Sequence, residues 1–264
     1  MTTSEQDGLA ARPEDVPSRA SWILFAVRQW GLRARRWMSD VGGQVRRHPR
    51  SDDGSGFAHI TGESRTDLWI EAGDAERAFE RGKVQNLRRA ALALDGVVIP
   101  AGQTFSFWRQ VGPPSARRGF ATGRMLQQGC MVASVGGGLC QLTNSLYDVA
   151  LQAGCAIVER HRHSRIVPGS QAQRGRDATV AWNYVDLRFR PAVAMWLSVV
   201  ADDRTLTVAL LQHEPPGPLR LALSDEQLAN PTAVARTCST CGESSCHRHE
   251  AGALDPLACR WKKP

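Results

Sequence analysis

The sequence lacks any run of about 20 apolar residues, the length that an α-helix needs to cross a bilayer. Its most apolar early run, residues 20–27, is short and follows a polar, acidic start, whereas a signal peptide begins with basic residues. We therefore expect a cytoplasmic protein. Because thiols stay reduced in that compartment, the seven cysteines are expected to be free thiols or metal ligands and not disulfides.

The chain also lacks the charge pattern of a nucleic-acid-binding protein. Its net charge is +7, from 33 Lys and Arg against 26 Asp and Glu, and the basic residues do not alternate with aromatic ones. No nucleic acid is expected as a partner. No internal repeat is visible, so the 264 residues suit one substantial core with appendages.

Helical and strand-like patterns in the middle of the chain predict an α+β fold with a single core. A central helix after a Gly-rich turn is expected to pack on antiparallel strands. The predicted helices cover 74–94 and 140–154, and the predicted strands cover 97–99, 104–108, 156–160 and 178–190. A strand or a hairpin is predicted within 126–134, and a hairpin for 195–200 with 205–211. The predicted division is a disordered start with a basic amphipathic helix (1–56), a core (57–214), and a linker with a Cys-rich module (215–264).

Three glycines, Gly136, Gly137 and Gly138, precede the central helix, and Cys140 stands in its first turn. The positive end of a helix lowers the pKa of a thiol and favours the thiolate, which is the nucleophilic form. The alternative interpretation is a small buried thiol under a glycine turn.

Several spaced motifs around this turn resemble the VanW family, which is named after an accessory protein of a vancomycin-resistance gene cluster. They lie between Lys83 and Phe189 and comprise Phe105–Trp108, Val111–Gly112, Gly136–Gln141, Glu159–Ser164 and Asp177–Phe189. The resemblance implies a tie to the cell envelope or to glycopeptide resistance, and it implies no particular reaction.

The order Cys140, His163, Asp177 is similar to that of papain- and transglutaminase-like enzymes, in which a histidine and a polar residue follow a helix-start cysteine. The imidazole would take the thiol proton and the carboxylate would fix its tautomer. His163 is preferred over His161, which sits in a charged run. The resemblance implies that the cysteine and histidine recur while the position of Asp177 varies, so Asn183 and Asp186 are alternatives for the third group.

The glycine turn can instead be interpreted as a ligand site, because helix N–H groups attract anions. Gly136, Gly137, Gly138, Gln141 and Asn144 would then bind a carboxylate, such as the end of a peptidoglycan-precursor peptide. A Lys-Ser/Thr ending is missing, which argues against a nucleotide P-loop. Tight helix–strand packing would also account for the glycines.

The N-terminal region predicts a helix from Ser18 or Ser21 to about Val45, rich in arginine and carrying Trp30 and Trp37 on one side. We expect those tryptophans to pack on the core and the arginines to be solvated. The alternative is peripheral contact of residues 18–50 with the inner face of the membrane, since basic amphipathic helices bind anionic surfaces.

The C-terminal tail has the spacing of a metal site. Its candidate ligands are Cys238, Cys241, Cys246, His247 and Cys259. A Cys-x2-Cys pair followed by Cys-His suits zinc, and four cysteines would also suit an iron–sulfur cluster. A tail of oxidisable thiols without metal is the alternative.

Two functions follow from these patterns. The first is a cysteine-dependent enzyme that acts on an amide or peptide bond, such as one in a cell-wall precursor. The second is a non-catalytic peptide- or carboxylate-binding protein, or an envelope-associated accessory protein.

The tail predicts bound metal in the purified protein. We expect about one zinc ion per chain, or the absorbance of an iron–sulfur cluster in protein isolated without oxygen. Replacing Cys238 and Cys241 by serine removes the metal and leaves the core folded, and affinity falls as the pH drops because the ligands are thiolates. Elemental analysis that finds neither zinc nor iron in reduced, anaerobic protein would contradict the site.

Overall fold

The computed structural model describes residues 19–43, 45–69, 74–127, 130–163, 171–215 and 236–237. It has the mixed α+β architecture that the sequence predicts. The elements in chain order are α1 (Arg19–Gly42), β1 (His59–Asp67), α2 (Asp74–Leu94), β2 (Val97–Ile99), β3 (Phe105–Ser106), α3 (Phe107–Val111), β4 (Thr122–Gln127), β5 (Cys130–Val135), α4 (Cys140–Gln152), β6 (Ala156–Glu159), β7 (Arg188–Arg190), β8 (Met195–Ala201), β9 (Thr205–Gln212) and β10 (Arg236–Thr237).

The largest sheet is antiparallel, with the strand order β1-β9-β8-β2. Side chains alternate along β8, so Met195, Leu197 and Val199 are buried and the residues between them are less so. Helix α4 packs on β1 and β9, and α2 packs on β8 and β4. The core lies between this sheet and the two helices.

Two smaller sheets complete the fold. One has the order β3-β7-β6 and is antiparallel, and the other has the order β10-β5-β4, in which β4 and β5 form the predicted hairpin. The hairpin leads directly into the glycine turn and α4. The end of the hairpin therefore stands beside the start of the central helix.

Helix α4 approaches β1 closely at Gly62, where the pairing of β1 with β9 shifts register. A Cβ atom at Gly62 would lie 2.6 Å from the carbonyl oxygen of Val149 in α4. Such a contact is well inside the normal separation, so only glycine lets the helix lie this near the strand.

Two of the predicted strands are shorter than expected. Of 104–108 only Phe105–Ser106 is a strand, because the Ser106 hydroxyl accepts a hydrogen bond from the Arg109 N–H at 3.2 Å and caps helix α3. Of 178–190 only Arg188–Arg190 is a strand. Strand β1, whose sequence is largely polar, is an element that the sequence analysis did not predict.

The helix predicted near the N-terminus is present as α1, but the expectation that its tryptophans pack on the core is wrong. Trp30 is 73% exposed and Trp37 is 64% exposed. The opposite, polar face makes the contacts: Gln29 Nε2 donates to the Tyr184 hydroxyl at 3.0 Å, and Asp40 pairs with Arg188 at 2.6 Å. The polar side of α1 therefore faces the core, because it pairs with buried charge there.

Among the helices that the structure describes, none has the length and apolarity to cross a membrane. The predicted Cys-rich module and the residues before α1 lie outside the described residues. The predicted three-part division of the chain and the cytoplasmic location therefore stay predictions.

We expect Gly62→Ala to lower the free energy of unfolding by about 1–3 kcal/mol, because the new methyl group meets the α4 backbone. Gly31→Ala is the matched control, since a Cβ there meets nothing within 4 Å. Alanine at this helical position stabilises by up to about 1 kcal/mol. Urea unfolding of the two variants measures the difference, and equal stability of both would contradict the close approach.

Candidate active site

A cavity of about 1300 Å³ opens beside the start of α4. Its walls come from the end of β1, from α2, from the β4–β5 hairpin and glycine turn, and from residues 179–182, 184 and 185. Gln29 and Arg33 of α1 also line it, together with Cys140 and His163. The predicted nucleophile and its predicted histidine therefore face the same space.

Cys140 is the first residue of α4 and is partly exposed. Its own N–H has no acceptor within the helix, as in the first turn of every α-helix, and the helix dipole puts positive potential there. The Thr179 hydroxyl lies 3.6 Å from the sulfur. The thiol thus stands in a polar, electropositive setting at the cavity wall.

His163 and Asp177 are joined by two hydrogen bonds. The backbone N–H of His163 donates to one carboxylate oxygen of Asp177 at 2.8 Å, and Nδ1 of the ring contacts the other. Because Asp177 occupies Nδ1, the Nε2 side of the ring is left for Cys140. His163 also interacts with the side chain of Cys140. The structure brings the three residues together in the predicted order, and their catalytic role stays a prediction.

The electrostatics of this contact favour a thiolate–imidazolium pair. Burial works to raise the pKa of Cys140, but the charge and hydrogen bond of His163 outweigh it and hold that pKa below its ordinary value. Burial works to lower the pKa of His163, yet the Cys140 thiolate and Asp177 raise it to about 10. Both shifts favour the charged forms, and the thiolate is the reactive form of a cysteine nucleophile.

The segment that carries Asp177 is fastened to α4 by the two residues one turn after Cys140. The Thr143 hydroxyl donates to the Ala178 carbonyl at 2.5 Å, and the Ala178 N–H donates to the Asn144 side-chain oxygen at 2.7 Å. The sequence predicts a ligand-binding role for Asn144. Here its oxygen holds the backbone beside Asp177, although Asn144 also lines the cavity.

The glycine turn serves close packing as well as lining the cavity. Gly136 and Gly138 have φ angles of +82° and +92° and line the cavity. Gly137 is buried, and a Cβ atom there would lie 2.4 Å from the carbonyl carbon and oxygen of Gly123. Gln141 lines the cavity too, but its side-chain nitrogen donates to the Asp67 carbonyl at 2.7 Å.

The other candidates for the site have different partners. His161 is exposed and contacts Glu159 at 3.0 Å. Asp186 is fully buried and binds the Ser106 hydroxyl at 2.6 Å and the Arg188 guanidinium at 2.8 Å. Asn183 has a buried side-chain oxygen without a hydrogen-bond partner. Asp177 is the residue that contacts His163.

An aromatic wall and a lysine were not predicted as site residues. Trp108 and Trp182 both line the cavity and pack edge to face, with ring centroids 5.4 Å apart. The side-chain carbons of Lys83 pack against Gly138, and its amine pairs with Glu80 at 2.7 Å. Both tryptophans fall within the motifs that carry the family resemblance, and that was the available signal for them.

The predicted metal ligands Cys238, Cys241, Cys246, His247 and Cys259 lie outside the described residues. Within the described ranges no group of three or more His, Cys, Asp or Glu side chains is placed to hold a metal ion. Zinc or an iron–sulfur cluster in the tail therefore stays a prediction.

The comparison with protein families matches residues 82–211 to the family described as "VanW like protein". This part of the chain belongs to the VanW family. The matched segment begins in α2, ends in β9 and contains Cys140, His163 and Asp177. The family resemblance that the sequence motifs indicated is thereby confirmed.

Two curated relatives each match part of the chain. "Uncharacterized protein YoaR" of Bacillus subtilis (strain 168) is 36% identical over 110 residues, 42% of this chain and 36% of that protein. "Vancomycin B-type resistance protein VanW" of Enterococcus faecalis (strain ATCC 700802 / V583) is 35% identical over 117 residues, 42% of this chain and 42% of that protein. The chain thus spans about two fifths of the length of these relatives, and no solved structure matches it significantly.

We expect iodoacetamide to label Cys140 at neutral pH much faster than Cys155. Cys155 is buried, and burial raises its pKa to about 12. Peptide-resolved mass spectrometry assigns the label, so the tail thiols and Cys130 are read separately. Labelling of Cys140 no faster than that of Cys155 would contradict the activated thiolate.

His163→Ala should raise the pKa of Cys140, because burial still disfavours the thiolate and the imidazolium that opposed it is gone. Each unit of increase lowers the thiolate fraction about tenfold below the pKa, so labelling at pH 7 falls by at least about tenfold. His161→Ala is the matched control, since His161 is exposed and contacts Glu159 instead. An unchanged pH profile in His163→Ala would show that the ion pair does not activate Cys140.

Proposed function

We propose that this VanW-like protein is a cysteine-dependent enzyme that acts on an amide or peptide bond of a cell-wall precursor. The observation that supports the proposal most directly is the contact chain from Cys140 to His163 to Asp177 at a helix start on the wall of a large cavity. A nucleophile, a base and an orienting carboxylate in that arrangement are suited to acyl transfer.

The proposed reaction has two steps. The Cys140 thiolate attacks the carbonyl carbon, the carbon–nitrogen bond breaks, and the leaving amine takes a proton from the Nε2 of His163. The acyl group is then held on Cys140 as a thioester. Water or a second amine gives its proton to His163 and attacks the thioester, which releases the product and restores the thiolate–imidazolium pair.

The start of α4 supplies the electrostatic stabilisation that this reaction requires. A tetrahedral intermediate carries a negative oxygen, which backbone N–H groups stabilise in acyl-transfer enzymes. The N–H of Cys140 has no acceptor within its helix, and the dipole of the 13-residue helix α4 adds positive potential at the same place. Asp177 contributes by fixing the His163 ring, so that the ring does not have to reorient during the reaction.

The proposed substrate class rests on the cavity and on one relative. A volume of about 1300 Å³ exceeds the size of a typical small-molecule site, roughly 300–1,000 Å³, and suits an extended peptide. Trp108 and Trp182 offer apolar contact, and Arg65 and Arg174 offer charge for carboxylates. The relative is named as a vancomycin resistance protein, which favours a cell-wall peptide as the substrate.

Non-catalytic binding of a peptide or carboxylate is the second candidate. Arg65 and Arg174 line the cavity together with the imidazolium of His163, and such a set attracts a carboxylate without any chemistry at Cys140. The two candidates differ in whether a covalent thioester forms.

The test incubates the protein with a panel of peptidoglycan-precursor peptides and follows products and protein mass. We expect turnover and a thioester adduct with wild type, and loss of turnover by at least about 10³-fold in Cys140→Ala. Asp177→Asn is expected to lower kcat about 10²–10⁴-fold with less effect on KM, because it leaves the ring in the wrong tautomer. Cys155→Ala is the control, since Cys155 is buried in the core.

Calorimetry on the same variants separates the two candidates. Peptide binding that is equal in wild type and Cys140→Ala, without turnover or adduct in either, would identify a binding protein and overturn the enzymatic proposal. A protein that neither binds nor turns over any peptide of the panel would overturn both the substrate class and the binding alternative.

A further inference from the structure

Helix α1 presents an apolar surface that nothing in the described part of the chain covers. Its exposed large apolar residues are Ile23, Leu24, Val27, Trp30, Leu32, Trp37, Met38 and Val41. All of them except Leu32 fall in one stripe when the helix is drawn at 100° per residue, and this stripe is about 140° wide. We call these seven residues the α1 stripe.

The side of α1 opposite the stripe is occupied by polar contacts with the core. Gln29 donates to Tyr184, Arg33 donates to the Trp182 carbonyl at 3.0 Å, Arg36 pairs with Glu159, and Asp40 pairs with Arg188. The helix is therefore held in one orientation. Its apolar side points away from the core because its polar side is engaged.

The charges next to the stripe are basic. Arg28 and Arg35 are exposed and lie along one edge of the stripe at 100° per residue. The acidic residue of α1, Asp40, is buried in its ion pair with Arg188, so it does not offset them. An apolar stripe with two tryptophans and an arginine edge fits the boundary between lipid headgroups and acyl chains.

We propose that the α1 stripe is a docking surface for an anionic lipid bilayer, with the helix lying in the plane of the headgroups. Trp30 and Trp37 insert at the interface, and Arg28 and Arg35 contact lipid phosphates. The helix has 24 residues but lacks the apolarity to cross the bilayer, in agreement with a position at its surface.

The same observations disfavour a second copy of the chain as the occupant. In a self-paired helix the exposed arginines would line both sides of the contact, with no exposed acidic residue of α1 to pair with them. An anionic lipid surface supplies the opposite charge at every position along the helix.

Docking through the α1 stripe would place the cavity close to the membrane. Gln29 and Arg33 line the cavity from the other side of the same helix. One helix diameter, about 10–12 Å, therefore separates the lipid from the cavity wall. This inference rests on α1 alone and does not depend on chemistry at Cys140.

The experiment is cosedimentation of the full chain with vesicles of phosphatidylglycerol and phosphatidylcholine, and with vesicles of phosphatidylcholine alone. We expect binding to the anionic vesicles that weakens with salt, and loss of that binding in the double variant Trp30→Ser, Trp37→Ser. The double variant Arg28→Gln, Arg35→Gln should bind about thirtyfold more weakly. Cys140→Ser should bind like wild type.

Matched controls test whether the effects belong to the α1 stripe. Leu92→Ser removes an equally exposed apolar side chain on α2, and Arg81→Gln with Arg117→Gln removes two exposed charges elsewhere. Both should keep full binding, and circular dichroism should show all variants folded. A loss in the second control equal to that in the α1 arginine variant would reduce the effect to net charge and overturn the proposal.

Two further outcomes would also overturn it. A monomer that does not bind anionic vesicles shows that the stripe has no affinity for lipid. A dimer by light scattering that the tryptophan variant abolishes, together with no vesicle binding, shows that the stripe is an interface between copies of the chain.

Discussion

Two hydrogen bonds from α4 to the backbone of residue 178 are the constraint on which the site depends. The Thr143 hydroxyl donates to the Ala178 carbonyl, and the Asn144 side-chain oxygen accepts from the Ala178 N–H. Both side chains are buried, so neither hydrogen bond competes with water. Loss of either bond would leave a buried polar group without a partner, which lowers the free energy of unfolding. Since α4 also begins at Cys140, one rigid element fixes the nucleophile and, through Ala178, the position of Asp177. His163 then follows from its two contacts with that carboxylate.

The contact between Cys140 and His163 links this geometry to pH. The raised pKa of His163 contributes stability that is complete below 6.5 and is lost as the pH rises through about 10. The lowered pKa of Cys140 contributes stability that is complete above 9.0 and is lost as the pH falls through its folded value. Both contributions come from the same interaction between Cys140 and His163, so their free energies are not added together. The window in which both groups are charged runs from the lowered pKa of Cys140 up to about 10, the pKa of His163.

The sequence predicted the elements in which a single periodicity coincides with burial, such as α2, α4 and the β8–β9 hairpin. The sequence-based prediction was wrong where tertiary hydrogen bonds determine the local backbone structure. Residues 178–187 have strand-like composition, yet the contacts of Ala178 with α4 and the backbone bridge between Ala181 and Val185 hold them in irregular structure. The order of Cys140, His163 and Asp177 could be predicted because His161 and His163 are the only histidines in the sequence between the helix and Asp177. Periodicity showed that α1 has an apolar side, but it could not show which side faces the core.

The buried charge network at Arg188 determines which side of α1 faces the core. Its guanidinium contacts Asp186 at 2.8 Å and Asp40 at 2.6 Å, and all three side chains are buried. Without the carboxylate from α1, Nη2 of Arg188 would lose its buried acceptor, and removing one partner of a buried pair costs about 3–5 kcal/mol. Asp186 also accepts a hydrogen bond from the backbone N–H of Trp108 at 3.2 Å, and Trp108 lines the cavity. The same network therefore orients α1, leaves its apolar side outward and fixes the aromatic wall of the cavity.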